Sequence, residues 1–205
     1  MNGKDIVADI KALRKAGQSK RLLMGGKNPT ASDLQSFIAY DFLGIPNVKP
    51  VYGLSTGNRR KAIARGEIEL SMDPVLKCKQ QHKKMIKQGV IVYMTLGFAN
   101  PDGAIVRDPS LPNFPHVGEV YEILNGKKPA GVQWQGIKNL LNMIVMANKG
   151  LWLPKGAPQD VVDLYVATIK NIYKDKQFIK LTKKQFGEYP QTFGAAGKDV
   201  VRNGA

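Results

Sequence analysis

The chain has 205 residues, 43% of them hydrophobic, and carries 31 Lys and Arg against 16 Asp and Glu, a formal net charge of +15. That is enough chain for one or two small domains with a packed core, and the composition excludes an intrinsically disordered protein. A single cysteine excludes an intrachain disulfide, and no apolar run reaches the ~18 residues of a membrane span.

Met1–Asp5 leads straight into a helical pattern, with no continuous apolar segment of a signal peptide. From Lys4 to Ala16 the apolar residues Ile6, Ile10 and Leu13 share one helical face, and Gly17 is expected to end that helix. Arg21–Met24 reads as a short buried strand closed by Gly25-Gly26. A helix follows with Leu34, Phe37, Ile38 and Phe42 on its inner face, capped by Thr30 or Ser32 and broken at Gly44-Ile45-Pro46. Val48–Tyr52 is the next strand, Asn58–Ala64 a short helix and Ile68–Met72 a third strand. Pro74–Gln88 is helical to Gly89, and Val90–Thr95 is the most strand-like run of all. Such alternation at short spacing predicts an α/β fold with mostly parallel strands.

Residues 97–116 form a Pro-, Gly- and Asp-rich connection, long enough to be functional or to bridge domains. A short helix closes at Gly126, and Val132–Asn148 is a longer one; within it, the apolar run Leu140–Ala147 is interrupted by Asn142. Leu151-Trp152-Leu153 reads as an apolar strand end running into the turn Pro154-Lys155-Gly156-Ala157-Pro158. Pro158 suits a first helical turn, where a missing N–H costs nothing. Two helices follow, Pro158–Tyr173 and Asp175–Phe186, with Val161, Leu164, Tyr165, Ile169, Ile172, Phe178 and Leu181 in apolar stripes. Gly194–Ala205 reads as a mobile tail.

Two strand-to-helix loops carry the site hypothesis: Gly25–Ser32 and Gly53–Asn58. In open α/β sheets ligands bind beyond the carboxyl ends of the strands. Glycine lets backbone approach a ligand, and free N–H groups at a helix start suit an anion. The candidate ligand-binding residues are Asn28, Thr30, Ser32, Gly53, Ser55, Thr56 and Gly57, with Asp73 after the third strand. The plainer reading is that the hydroxyls only cap helices and that Asp73 caps the helix after it. Adjacent Arg59 and Arg60 must diverge by ~100°, so at least one points away from the loop. Trp134 and Trp152 read as core or hinge packing.

Enzyme readings fail on inventory. Gly53-x-Ser55-x-Gly57 imitates a nucleophile elbow, but the chain has only His82, mid-helix, and His116, in a Pro-rich loop. Gly25-Gly26-Lys27 lacks the spacing of a phosphate-binding loop. Cys78 and His82 make at most two metal ligands, and no cofactor motif is present. The lysines follow helices: Lys79, Lys83, Lys84 and Lys87 on one, and Lys170, Lys174, Lys176, Lys180, Lys183 and Lys184 on the last two. They are either solvated faces or a basic stripe for nucleic acid, the rival reading.

Three segments in order resemble the substrate-binding receptors of tripartite tricarboxylate transporters, the Bug-type periplasmic receptors. They are Leu151–Val162; Tyr52–Leu70, with its Arg65-Gly66-Glu67-Ile68-Glu69 turn where the family usually has Asp at the last position; and Asp102–Glu119. The last is similar to the family's Arg … Leu-Pro-Asp-Val-Pro-Thr … Glu segment and departs from it at Asn113, Phe114 and His116. The resemblance covers nearly the whole chain and about the C-terminal two thirds of a family member. It implies a type II periplasmic-binding-protein fold, with a second-lobe α/β domain over residues 1–90 and, over 91–205, the crossover and an incomplete C-terminal part of the first lobe. It also implies capture of a small carboxylate by lobe closure, the membrane components of such a transporter as partners, no nucleic acid, a periplasmic location and no catalysis. The chain then reads as a fragment whose last two helices keep an uncovered apolar face.

Overall fold

A computed structural model describes residues 3–30, 32–90, 94–100, 103–142, 150–187 and 192–204. The protein is mixed α/β and gathers into two compact units, residues 1–141 and 142–205. In the first unit α1 (Gly3–Ser19), β1 (Leu22–Gly25), α2 (Leu34–Phe42), β2 (Val48–Val51), α3 (Thr56–Ala64), β3 (Leu70–Ser71) and α4 (Val75–Lys87) follow one another. β1, β2 and β3 form a parallel sheet in the order β2-β1-β3, with Leu22 opposite Val48 and Met24 opposite Leu70. Because β1 is central, it is the most buried strand: Leu22 and Met24 are sealed in the core with Leu70, Ile6, Ile10 and Leu43.

The chain leaves β1 toward β2, then crosses back over β1 to reach β3. The right-handed rule for such crossovers sends α2 and α3 to opposite faces of the sheet. α3 packs on β3, and its Arg59 reaches the carboxyl end of β1, where a Cβ on Gly25 would lie 3.0 Å from Arg59 Cγ. Helix α1 does not stop at Gly17. A Cβ there would sit 2.4 Å from the Pro46 carbonyl oxygen, and the Gly17 carbonyl accepts Asn47 Nδ2 at 2.8 Å. The glycine serves close approach to the turn after α2 and does not break the helix.

The 97–116 connection holds structure absent from the sequence reading, an antiparallel pair of β4 (Phe98–Ala99) and β5 (Ile105–Val106). Beyond it come α5 (Val117–Asn125), closed by Gly126 at φ 68°, and α6 (Gly131–Leu141). α6 packs on α2 and β4, and α5 on α1. Phe42 of α2 stacks on Tyr121 at 4.4 Å and on Trp134 at 5.6 Å, which places Trp134 in packing as expected. The first compact unit runs to Leu141. Of the strand expected at Val90–Thr95, residues 91–93 lie outside the described residues, as do residues 143–149 of the helix expected to reach Asn148.

The second unit holds α7 (Gln159–Ile172), α8 (Lys176–Phe186) and α9 (Ala195–Gly204). Asp175 caps α8 by accepting the Phe178 amide at 2.7 Å. Tyr173 meets Phe178 and Phe193 edge-on at 5.2 and 5.7 Å. Two expectations are corrected here. Leu151-Trp152-Leu153 is not a strand, and with no strand to pair with among the described residues of this unit, Leu151 is 69% and Trp152 62% exposed. At that exposure Trp152 is not part of a core. The tail from Gly194 is helical, its first turn closed by the Lys198 amide on the Gly194 carbonyl at 3.2 Å. Among the described residues no helix is long and apolar enough to cross a membrane.

Helix α7 buries no residue. Of its stripe and that of α8, Leu164 (64%), Tyr165, Ile172 and Leu181 (53%) are exposed, and Val161, Ile169 and Phe178 are half-buried. The second unit by itself does not bury this apolar face. Clustered exposed apolar side chains favour association. Sedimentation velocity is expected to show concentration-dependent self-association that L164Q/L181Q weakens while leaving the helical circular dichroism unchanged. A monomer at every concentration would contradict this.

Candidate functional site

The β1–α2 loop and the β2–α3 loop are laced together beyond the carboxyl end of the sheet. The Gly26 amide donates to Val51 O at 2.9 Å, Gly53 N to Lys27 O at 3.1 Å and Leu54 N to Gly26 O at 3.0 Å. Beneath this lacing lies a buried ion pair between Asp33, just before α2, and Arg59 of α3. The two side chains expose no more than 5% of their surface. Asp33 Oδ1 accepts from Arg59 Nη1, and its Oδ2 accepts the Lys27 amide at 2.7 Å. Arg59 Nη2 donates to Thr56 Oγ1 at 3.1 Å, whereas Nε is buried without a partner among the described residues.

The pair explains the two glycines. A Cβ on Gly25 would lie 2.7 Å from Ile68 Cδ1 and 3.0 Å from Arg59 Cγ, and one on Gly26 would lie 3.2 Å from the Tyr52 ring. Their lack of side chains admits the Arg59 stem and the Tyr52 ring, not a ligand. Gly53 sits at φ 85°, which a residue with a side chain adopts only under strain. Around Gly57, by contrast, an added Cβ would meet open space.

Each sequence-predicted residue can now be placed. Gly53 is tied to Lys27 of the other loop. Ser55 is the N-cap of α3, its Oγ accepting the Asn58 amide at 3.3 Å. Thr56 and Gly57 form the first turn of α3, and their amides take no acceptor among the described residues. Asn28 Oδ1 accepts both the amide and the hydroxyl of Thr30 at 3.1 Å, a local turn on an exposed loop. Ser32 is exposed, and among the described residues only its carbonyl is engaged, by the Gln35 amide at 3.3 Å. Neither Thr30 nor Ser32 caps α2. The N-cap position is Asp33, which makes no cap bond because its carboxylate is turned inward to Arg59 and Lys27 N.

Asp73 does not cap α4 either. The position before that helix is Pro74, and the Asp73 carboxylate is gripped by Arg60, with Nε–Oδ2 at 2.7 Å and Nη2–Oδ1 at 3.0 Å. The adjacent arginines do diverge, each to its own carboxylate. Asp33 and Arg59 are the residues that the motif reading did not assign to the site. The available signal was periodicity: Arg59 lies three residues before Ala62, and both are buried on α3.

The other family-like segments are held by their own networks. Arg107 Nε lies 2.9 and 3.0 Å from the two Glu119 oxygens, and Nη1 donates to Pro112 O at 3.1 Å, so the Arg … Leu-Pro … Glu pattern is a structural clasp. Glu69 accepts the Leu23 amide and Lys20 Nζ, each at 2.8 Å, which pulls its carboxyl below the usual range. His116 caps α5, its Nδ1 accepting the Gly118 amide at 3.0 Å while Glu119 accepts the His116 amide at 2.9 Å. Burial lowers the His116 pKa, against the raising effect of Glu119. Cys78 is buried, which raises its thiol pKa; the His82 side chain lies outside the described ones. Among the described residues no three His, Cys, Asp or Glu side chains gather as metal ligands.

Compared with protein-family models, with curated proteins and with solved structures, the chain matches none.

Removing one member of a buried ion pair strands the other, so D33A is expected to lose about 3–5 kcal/mol by urea denaturation, with R59M/D33L recovering much of that loss. Equal losses for both variants would show that the ion pair does not organise the loops. A histidine with a lowered folded pKa contributes stability that is complete above its unfolded value of about 6.5 and is lost as pH falls through the folded pKa. Wild-type stability is therefore expected to fall from about pH 7 to 5 more steeply than that of H116N, whose Asn can still cap α5. Parallel pH profiles would contradict this.

Proposed function

We propose that the protein is a non-catalytic solute-binding receptor that takes a small carboxylate at the first turn of α3, beside the β1–α2 loop. The observation that carries this reading is the pair of amides on Thr56 and Gly57, which have no acceptor among the described residues, at a helix start next to open space. Such amides and the helix dipole favour an anion. A parallel sheet with loops laced at its carboxyl end is where α/β proteins commonly hold ligands. The net charge of +15 adds long-range attraction for anions.

The finer reading follows the resemblance to tripartite tricarboxylate transporter receptors. The sheet unit belongs to the second lobe of a type II periplasmic-binding-protein fold, closure between lobes traps the ligand, and the loaded receptor is delivered to membrane components of the transporter. Asn28, Thr30 and Ser32 flank the ligand from the β1–α2 loop, with Ser55, Thr56 and Gly57 opposite. Asp73 acts by holding Arg60 rather than by touching ligand. The location that goes with this role is the periplasm.

Calorimetry with citrate and related di- and tricarboxylates tests the reading. Saturable binding that outcompetes chloride is expected. No carboxylate binding, together with salt-sensitive binding to duplex DNA, would overturn it and favour the nucleic-acid role of the lysine-bearing helices.

A further inference from the structure

The guanidinium of Arg59 is buried beside the candidate site with its partner Asp33, and its hydrogen bonding is incomplete among the described residues. The residue is 4% exposed; Nη1 is taken by Asp33 and Nη2 by Thr56 Oγ1, but Nε has no partner among the described residues. A buried donor on a charged group is costly to leave unmade, so native structures rarely keep one without a reason.

The direction of Nε follows from the planar fork. Nε and Nη2 lie along one edge of a guanidinium, the edge that takes a carboxylate in a bidentate grip. Two other arginines of this protein use that same edge. Arg60 holds Asp73 through Nε and Nη2, and Arg65 holds Glu67 through Nε and Nη2 at 2.6 and 2.8 Å. In Arg59 the edge meets no carboxylate. It faces Thr56 Oγ1, at the first residue of α3, whose amide and that of Gly57 are unpaired among the described residues. Thr56 is half-buried and Gly57 exposed.

We infer that the Nε/Nη2 edge of Arg59, with the Thr56 hydroxyl and the first-turn amides of α3, is the subsite that orients a ligand carboxylate. The inference rests on the proposed receptor function. One carboxylate oxygen accepts from Arg59 Nε. The Thr56 hydroxyl accepts from Nη2 and donates its own proton to the ligand. Asp33 holds the guanidinium from its other edge and partly cancels its charge. The subsite thereby selects a planar acceptor by hydrogen-bond geometry more than by charge.

The experiment is calorimetry with citrate, acetate and inorganic phosphate on wild type, T56V, T56S and R59K, each checked for wild-type circular dichroism. R59K keeps the charge and loses the Nε edge. T56V removes the hydroxyl without touching the ion pair, so one variant remains informative if the other does not fold. Citrate affinity is expected to fall about tenfold or more in T56V and R59K, as for loss of a hydrogen bond to a charged group, and to return in T56S. Citrate binding unchanged in T56V would overturn the subsite and leave the receptor reading standing. Phosphate binding without citrate or acetate binding would overturn the carboxylate assignment, and absence of all anion binding would overturn both.

Discussion

The buried ion pair between Asp33 and Arg59 is the constraint on which the sheet end depends. Each partner comes from a different crossover, Asp33 from β1–α2 and Arg59 from β2–α3, and neither charge is tolerable in a core alone. Their pairing ties α3 to the segment between β1 and α2. It requires glycine at Gly25, where any Cβ would strike Ile68 or Arg59, and it turns Asp33 away from capping α2. The Lys27 amide completes the carboxylate, so the loop after β1 is held by the same pair.

From that arrangement the chemistry of the loop follows. With the Gly53 and Leu54 amides tied to the neighbouring loop and the Ser55 hydroxyl engaged as N-cap, the backbone donors left without an acceptor among the described residues are those of Ser55, Thr56 and Gly57. Arg60, one residue along from Arg59, leaves on the opposite course to Asp73 and anchors the start of α4 to α3. The two adjacent arginines thus join the segments after β1, β2 and β3. A preorganised loop binds with less ordering cost than a flexible one. This rigidity is the physical argument for reading the loop as a site rather than a plain turn.

The local elements were legible because their signals are local. Ile6 and Ile10 at helical spacing, the apolar β1 between charged and glycine residues, and Gly126 after Asn125 each specify their element within a few residues. Ser55 as a cap is of the same kind. What escaped the sequence depends on distant partners. Gly17 looks like a terminator until Pro46 arrives beside it. Leu151–Leu153 carries strand propensity but has no strand to pair with among the described residues of its unit. Asp73 has the sequence context of a cap, yet Arg60 offers its carboxylate a bidentate partner. Asp33 and Arg59 are 26 residues apart, and only the folded chain brings them together.

The central claim is that the loop locked by Asp33 and Arg59 presents α3's first turn to an anion. A titration of the 15N-labelled protein with citrate, followed amide by amide by NMR, tests it most directly. The account predicts that the largest saturable shifts fall on Ser55, Thr56 and Gly57, with smaller ones on Lys27 and Asn28. Shifts concentrated on the lysine-bearing helices α4 and α8, with Thr56 and Gly57 unmoved, would contradict it.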